Sequence, residues 1–385
     1  MNNKISNKRA FTVILVWFLL LCGFQNKGKI RYFQTQTVSF KPHKIVPIIV
    51  DFQDSTFNDT LFQIRSKENY PVSYFRKIQA SVCFDDKCRL LDIVLYWNIT
   101  GRYLGFEMPD GEYLSKTDHD PFQPGEYKKL NQVLADPNSP MGTFTYEQLT
   151  LQPPKNSPGV DATTSPIPPL VAEHIVQGAA YTTYKLWHFI YGRTQTEVRN
   201  ATLKALTPTL MKEILASPDE KDKMWALNHI NGYVELTPEL QNKVVALIDD
   251  KNFSLAERAV NAINKKDLGS KTLQLLLLDK FYSTDYSLKK LIIDKLKQAP
   301  ELDNQVKANL AKSLNQLNGE ILSRVLDVFK QHKNLNKETL LSISELLLNE
   351  NAFISRKAFD FFQNIAVKDQ EINNRISKYK ATQGI

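Results

Sequence analysis

The stretch WALNHI (Trp225–Ile230) is answered 33 residues later by RAVNAI (Arg258–Ile263). At the same interval follow LIIDKL (Leu291–Leu296), RVLDVF (Arg324–Phe329) and KAFDFF (Lys357–Phe362). One apolar column runs Ile230, Ile263, Leu296, Phe329, Phe362. Three residues earlier stand Leu227, Val260, Ile293, Leu326 and Phe359, and four earlier Ala226, Ala259, Ile292, Val325 and Ala358. A second stripe runs Met211, Val244, Leu277, Leu310, Ile343, with Leu215, Ile248, Phe281, Leu314 and Leu347 four residues on. Spacings of three and four are the spacing of one helix face. Two such faces recur in each unit, separated by polar turns such as ASPDEKD, DDKNFS and STDYS. A helix pair of this size cannot bury both faces alone, so the units are predicted to stack into an α-solenoid.

A period of 33 also suits ankyrin repeats, but their T-P-L-H signature is absent, as is the Trp, Gly and Tyr spacing of tetratricopeptide repeats. The units resemble short HEAT-like or armadillo-like α-hairpin repeats over residues 200–366. The tail, residues 367–385, is polar enough to cap the last one.

The remainder has a different grammar. The chain is 385 residues long, 42% hydrophobic and 23% charged, enough for two globular domains. Lys4, Lys8 and Arg9 precede the unbroken apolar run Phe11–Leu21, followed by Cys22 and Gly23. That is the pattern of a secretory signal peptide over residues 1–23, and the run is short for a bilayer core of ~30 Å. Two other readings are lipidation at Cys22, where Leu21 replaces the small residue a lipobox expects, and an uncleaved anchor. Loss of residues 1–21 takes three positive charges and lowers the net charge from +8 to about +5. This excess is spread along the chain without an arginine-and-aromatic patch, so nucleic acid is not the expected partner. Export implies an oxidising compartment. There Cys83 and Cys88, in CFDDKC, are most simply a disulfide clamping a hairpin. A redox dithiol, half of a metal site and free thiols are the alternatives.

Residues 24–43 read as an exposed leader. From residue 44 to 136 the chain reads as an α+β domain with an antiparallel sheet. The strands are KIVPIIVDF, TLFQIR, YFRKIQASVCF and RLLDIVLYWNITGRYLGFEMP, with turns at Asp85-Asp86, Thr100-Gly101 and Asp110-Gly111. A short helix follows, PGEYKKLNQVLAD, with Leu130, Val133 and Leu134 on one face. Residues 137–169 hold eight of the eighteen prolines and form a wrapping segment. Residues 170–199 continue as a long helix, Leu170–Gly192, that completes or links the first domain, with Gly192 placed to stop it.

Candidate chemistry is sparse. Asp118, His119 and Asp120 offer carboxylate–imidazole chemistry or weak metal ligands, with Glu107 and Glu112 upstream. Consecutive residues of an extended chain point to opposite sides, and His174, His188 and His229 lie on predicted helices elsewhere. The structural reading is that Asp118 or Asp120 shapes a turn or caps the helix starting near Pro124. Phosphate-loop, nucleophile-elbow, H-E-x-x-H and EF-hand patterns are absent. The sequons at Asn58, Asn98, Asn200 and Asn252 are unremarkable in so Asn-rich a chain. The aromatics Tyr181, Tyr184, Trp187, His188 and Tyr191 form either a core face or the wall of a planar-ligand pocket.

CFDDKC through LADP, then GVDATTSP and GAAYTTYKLWHFIYG, resemble a group of exported bacterial proteins whose N-terminal part is similar to the flavin-anchoring FMN-binding domain. The likeness covers about residues 40–195 and leaves the repeats outside it. That family implies a D-x-x-[ST]-G-A-T motif whose last threonine carries FMN. The run here is Asp161-Ala162-Thr163-Thr164-Ser165-Pro166-Ile167. Asp161 and Thr164 match, but isoleucine at 167 cannot form the phosphoester. Covalent flavin is excluded there, and Asp161, Thr163 and Thr164 remain only as candidates for non-covalent FMN. The expectation is therefore an exported, non-enzymatic scaffold with no cofactor, binding another envelope protein through its solenoid. The alternative is a periplasmic redox component.

Overall fold

The structure is a computed structural model and describes residues 30–54, 56, 58–81, 90–116, 119–145, 172–363 and 365–384. They fall into two compact units, one running to Gln36 and over Phe40–Thr202, the other comprising Thr37–Ser39 and the chain from Leu203.

The first unit is built on six antiparallel strands: β1 (Arg31–Phe33), β2 (Lys44–Ile49), β3 (Thr60–Arg65), β4 (Pro71–Ala80), β5 (Leu91–Asn98) and β6 (Tyr103–Glu107). Their order is β1-β6-β5-β4-β3-β2, so β2 to β6 form a meander and β1 closes its far edge. Pro47 is tolerated because β2 is an edge strand. Val50 N–H donates to Asp59 C=O, which by alternation turns the nitrogen of Pro47 away from β3. One face is apolar and sealed, with Leu61, Tyr74, Ile78, Ile93, Leu95, Trp97 and Phe106 all fully buried. The other carries a row from edge to edge, Pro47, Phe62, Phe75, Tyr96, Gly105 and Phe33, each directly opposite the next.

The leader is not unstructured. Its residues Arg31, Tyr32 and Phe33 pair with Glu107, Phe106 and Gly105. A three-residue strand is too short to show a period, and its place depends on a glycine. A Cβ on Gly105 would stand 1.8 Å from the Tyr32 carbonyl oxygen, so no other residue lets β1 approach.

Helix α1 (Pro124–Leu134) buries Tyr127, Leu130, Val133 and Leu134. The expected long helix over 170–192 is shorter. Residues 173–179 are turns and irregular chain, with Gly178 at φ +76°, and α2 runs Ala180–Tyr191. It ends at Gly192, where a Cβ would meet the His188 carbonyl at 2.5 Å, and α3 (Arg193–Leu203) follows at once.

The second unit is helical throughout. First helices α4 (Pro208–Leu215), α6 (Pro238–Ala246), α8 (Lys271–Ser283), α10 (Asn304–Ser313) and α12 (Lys337–Glu345) alternate with second helices. The second helices are α5 (Glu220–His229), α7 (Phe253–Asn261), α9 (Tyr286–Lys297), α11 (Gly319–Gln331) and α13 (Ala352–Phe362). Successive first helices pack on one another, and so do successive second helices, giving two layers. All residues of the repeated apolar columns are buried. The second-helix caps Asp219, Asn252, Asp285, Asn318 and Asn351 stand 33 apart, and each side chain accepts a backbone N–H of its first turn. The tail is itself helical. Asp369 starts a further first helix, α14 (Gln370–Gln383), which packs on α12 and buries Ile372 and Tyr379.

Buried polar groups lock neighbouring pairs. Gln274 Nε2 donates to the carbonyl of Glu301 at 2.8 Å, and Lys307 Nζ to that of Asn334 at 3.0 Å. Donor and acceptor are 27 residues apart in both cases, so one bridge is repeated in consecutive units.

Candidate functional site

In the stretch LSKTDHDPF the described residues Leu114–Lys116 and His119–Phe122 bond to one another. Ser115 bridges to Pro121, Lys116 N–H donates to Asp120 C=O at 2.9 Å, and Phe122 N–H to Leu114 C=O at 2.8 Å. His119 N–H donates to the Lys116 carbonyl, with the histidine at φ +62°. His119 and Asp120 are exposed, and Asp118 lies outside the described residues. No group of three His, Cys, Asp or Glu side chains converges for a metal among the described residues. The cap of α1 is not an aspartate. Gln123 holds that position, and its N–H donates to Glu126 Oε2 at 2.7 Å. Glu107 is engaged on β6 with Arg31 at 3.4 Å and with the Tyr96 hydroxyl. Cys22, Cys83, Cys88, Asp161, Thr163 and Thr164 lie outside the described residues.

The aromatic face of α2 staples helices. Trp187 Nε1 donates to Asp136 C=O at 2.9 Å, and the Tyr191 hydroxyl to Leu134 C=O at 2.8 Å, so both tips satisfy carbonyls at the end of α1. Trp97 Nε1 reaches back from β5 to the Ile190 carbonyl at 3.1 Å. Burial first, and the nearby Asp136 second, push the Tyr191 hydroxyl well above its ordinary pKa. Burial lowers the pKa of His188 against the raising effect of its bond to the Met141 carbonyl. Trp187 also lies on Gly142, where a Cβ would meet its ring at 2.8 Å.

Sequence reasoning missed Arg76, a fully buried guanidinium on β4. It donates to Asp54 Oδ2 at 2.6 Å, Asp54 Oδ1 at 3.1 Å and Thr194 Oγ1 at 2.9 Å, and also to Thr56. Its plane lies 3.5 Å from the ring centroid of Phe52. Burial alone would raise the Asp54 carboxyl, but hydrogen bonds from Arg76 and Thr56, with the charge of Arg76, hold it below its ordinary value. The set ties the β2–β3 connection to the sheet. No local signal marks it, because its partners lie 22 and 118 residues away.

The second-helix layer of the helical unit presents the most organised open surface. Phe253 and Tyr286 occupy the first position of α7 and α9, and are 44% and 40% exposed. The equivalent position of α11 is Gly319, and the ring of Phe353 from the next unit fills that rung. A Cβ on Gly319 would be 2.9 Å from Phe353 Cδ1, and Phe353 is 50% exposed. Beside it opens a groove of about 420 Å³, lined by Asp294, Lys297, Glu320, Ser323, Arg324 and Phe353, with Asp327. Its charges answer one another. Arg324 reaches Asp294 Oδ2 at 2.5 Å and Glu320 Oε1 at 3.3 Å, and Lys290 stands 3.6 Å from Glu320. The Tyr286 hydroxyl also bonds Glu320. That bond, then Arg324 and Lys290 against partial burial, lowers the pKa of the carboxylate. These ion pairs tie α9 to α11 beside Tyr286. Comparison with family models and with curated proteins finds nothing that matches this chain.

Proposed function

We propose that this is an exported, non-enzymatic interaction protein whose helix pairs form a HEAT-like α-solenoid that binds another protein of the cell envelope. The observation that carries the reading is the row Phe253, Tyr286 and Phe353, half-exposed rings repeated along one edge of the second-helix layer. Isolated exposed apolar residues need no explanation, whereas three rings carried by helices of one layer offer a larger contact surface. The basic n-region and apolar run before Cys22 support export. The stacked architecture supports binding, since solenoids present extended surfaces that small domains lack. Affinity capture from envelope extract tests it, with the wild type compared with a Tyr286→Ser/Phe353→Ser double variant. A discrete species held by the wild type and lost with the double variant is expected. Equal retention by both, or retention of nothing, contradicts the reading.

A further inference from the structure

The groove beside Phe353 shows what kind of group the partner brings, if the second-helix layer is the binding surface proposed above. Its three carboxylates are already answered. Asp294 accepts from Arg324 Nη1 at 2.5 Å, and Glu320 from Arg324 Nη2 and from the Tyr286 hydroxyl. Lys290 adds a second cation beside Glu320 at 3.6 Å, and Asp327 lies 3.8 Å from Lys330 Nζ. Four cations, Lys290, Lys297, Arg324 and Lys330, therefore meet three carboxylates, and Lys297 is the one left over. Lys297 and Ser323 both line the groove. Among the described residues neither the ammonium of the one nor the hydroxyl of the other has a hydrogen-bond or ion-pair partner. The backbone of Lys297 is nevertheless fixed, since its carbonyl accepts from Gln331 Nε2 at 2.9 Å and from His332 Nε2 at 3.2 Å.

What stands unspent in the groove is thus donor and cation. An ammonium carries three N–H donors and no acceptor, and a hydroxyl donates as well, so a carboxylate completes the set. The wall beside it is apolar. Phe353 is 50% exposed there, with Lys357 Nζ 5.5 Å from its ring centroid. The fitting ligand carries one carboxylate and an apolar group next to it. The last residue of a polypeptide holds both on a single Cα, whereas an aspartate or glutamate side chain has no apolar group of its own. About 420 Å³ is also within the range of pockets that enclose a small ligand. We propose that this groove takes the C-terminal residue of the partner protein, its carboxylate on Lys297 Nζ and Ser323 Oγ and its apolar side chain on the Phe353 ring. Capture of a chain end through its carboxylate is a recurring mode of peptide recognition.

The test is fluorescence anisotropy of the full chain with fluorescein-labelled Gly-Ser-Gly-Ala-Leu ending in a free carboxylate. Two peptides with the same label are compared with it, one amidated at its end and one amidated with glutamate in place of the leucine. The free end is expected to bind and the other two are not. Lys297→Met and Phe353→Ser are each expected to weaken binding about tenfold, through loss of a charge-assisted bond and of an aromatic anchor. Lys333→Met removes an exposed lysine outside the groove and is expected to change nothing, which separates the site from general charge. Equal binding by the amidated or the glutamate peptide, absence of binding at millimolar peptide, or equal loss in Lys297→Met and Lys333→Met overturns the proposal. If the peptide fails while envelope capture still depends on the rings, only this inference falls. If the peptide binds while nothing is captured, the inference stands and the proposed function falls.

Discussion

The hydroxyl of Thr37 donates to Oδ2 of the buried Asp222 at 3.1 Å, across 185 residues of sequence. Ser217 Oγ donates to the same oxygen at 2.9 Å. Asp222 occupies the position held by Leu255, Leu288 and Ile321 in the next three units, all of them buried apolar residues. At Asp222 the neighbour is instead the segment Thr37–Ser39, with Val38 buried and Ser39 Oγ donating to Glu213 Oε2 at 2.7 Å. The exchange of leucine for aspartate marks where two hydroxyls meet a buried carboxylate. Asp222→Ala strands two buried donors and is expected to cost about 1–3 kcal/mol, and Thr37→Val about 1 kcal/mol. Urea unfolding of the single and double variants measures both losses. Their coupling is expected to be non-additive, as for groups in one network.

Asp54 gives a pH-dependent contribution whose sign is fixed by its environment. Its carboxyl is held below the ordinary value in the folded chain, with burial opposing and the bonds from Arg76 and Thr56 prevailing. The stabilisation is therefore complete above the unfolded pKa of ~3.9 and disappears as pH falls through the lower folded value. Asp54→Asn is expected to cost roughly 2–3 kcal/mol at neutral pH, because it strands a buried guanidinium. Thermal unfolding from pH 7 downward is expected to show the gap between wild type and variant closing below about pH 4.

Gln274 tests the bridge between units. Its Nε2 serves the carbonyls of Leu268 and Glu301, and its Oε1 accepts from Asp303 N–H at 2.8 Å. Gln274→Leu fits the volume but leaves these backbone groups unpaired, at a cost of about 1–3 kcal/mol. Hydrogen exchange is expected to rise at Asp303, whose N–H loses its acceptor, before it rises elsewhere in the helical unit.

The columns through Ile230 and Met211 were legible in the sequence because each unit must bury the same two faces, which forces one pattern to recur. The caps were legible too. Asp219, Asn252, Asp285, Asn318 and Asn351 keep the same interval, as do Thr237, Ser270, Asp303, Asn336 and Asp369. Read as plain polar turns, they hid the last member, and Asp369 starts a helix within the tail expected to cap the last repeat. The meander was visible in alternation, and β1 was not, since its position rests on the missing Cβ of Gly105 and not on its own residues. Contacts such as Thr37 with Asp222 or Arg76 with Thr194 join residues more than 100 apart and leave no local trace. The row of exposed rings was hidden for a related reason. Its third rung is filled by Phe353, out of register by one residue, and only the bare backbone of Gly319 makes room for it.

The most direct measurement of the central claim is site-specific photo-crosslinking in envelope extract. A photoreactive residue is placed at Ser287, exposed beside Tyr286 on α9, and in parallel at Thr272, exposed on α8 in the other layer. The expected result is one discrete crosslinked protein from position 287 and none from position 272. Crosslinks of equal strength from both positions, or from neither, would contradict binding through the second-helix layer.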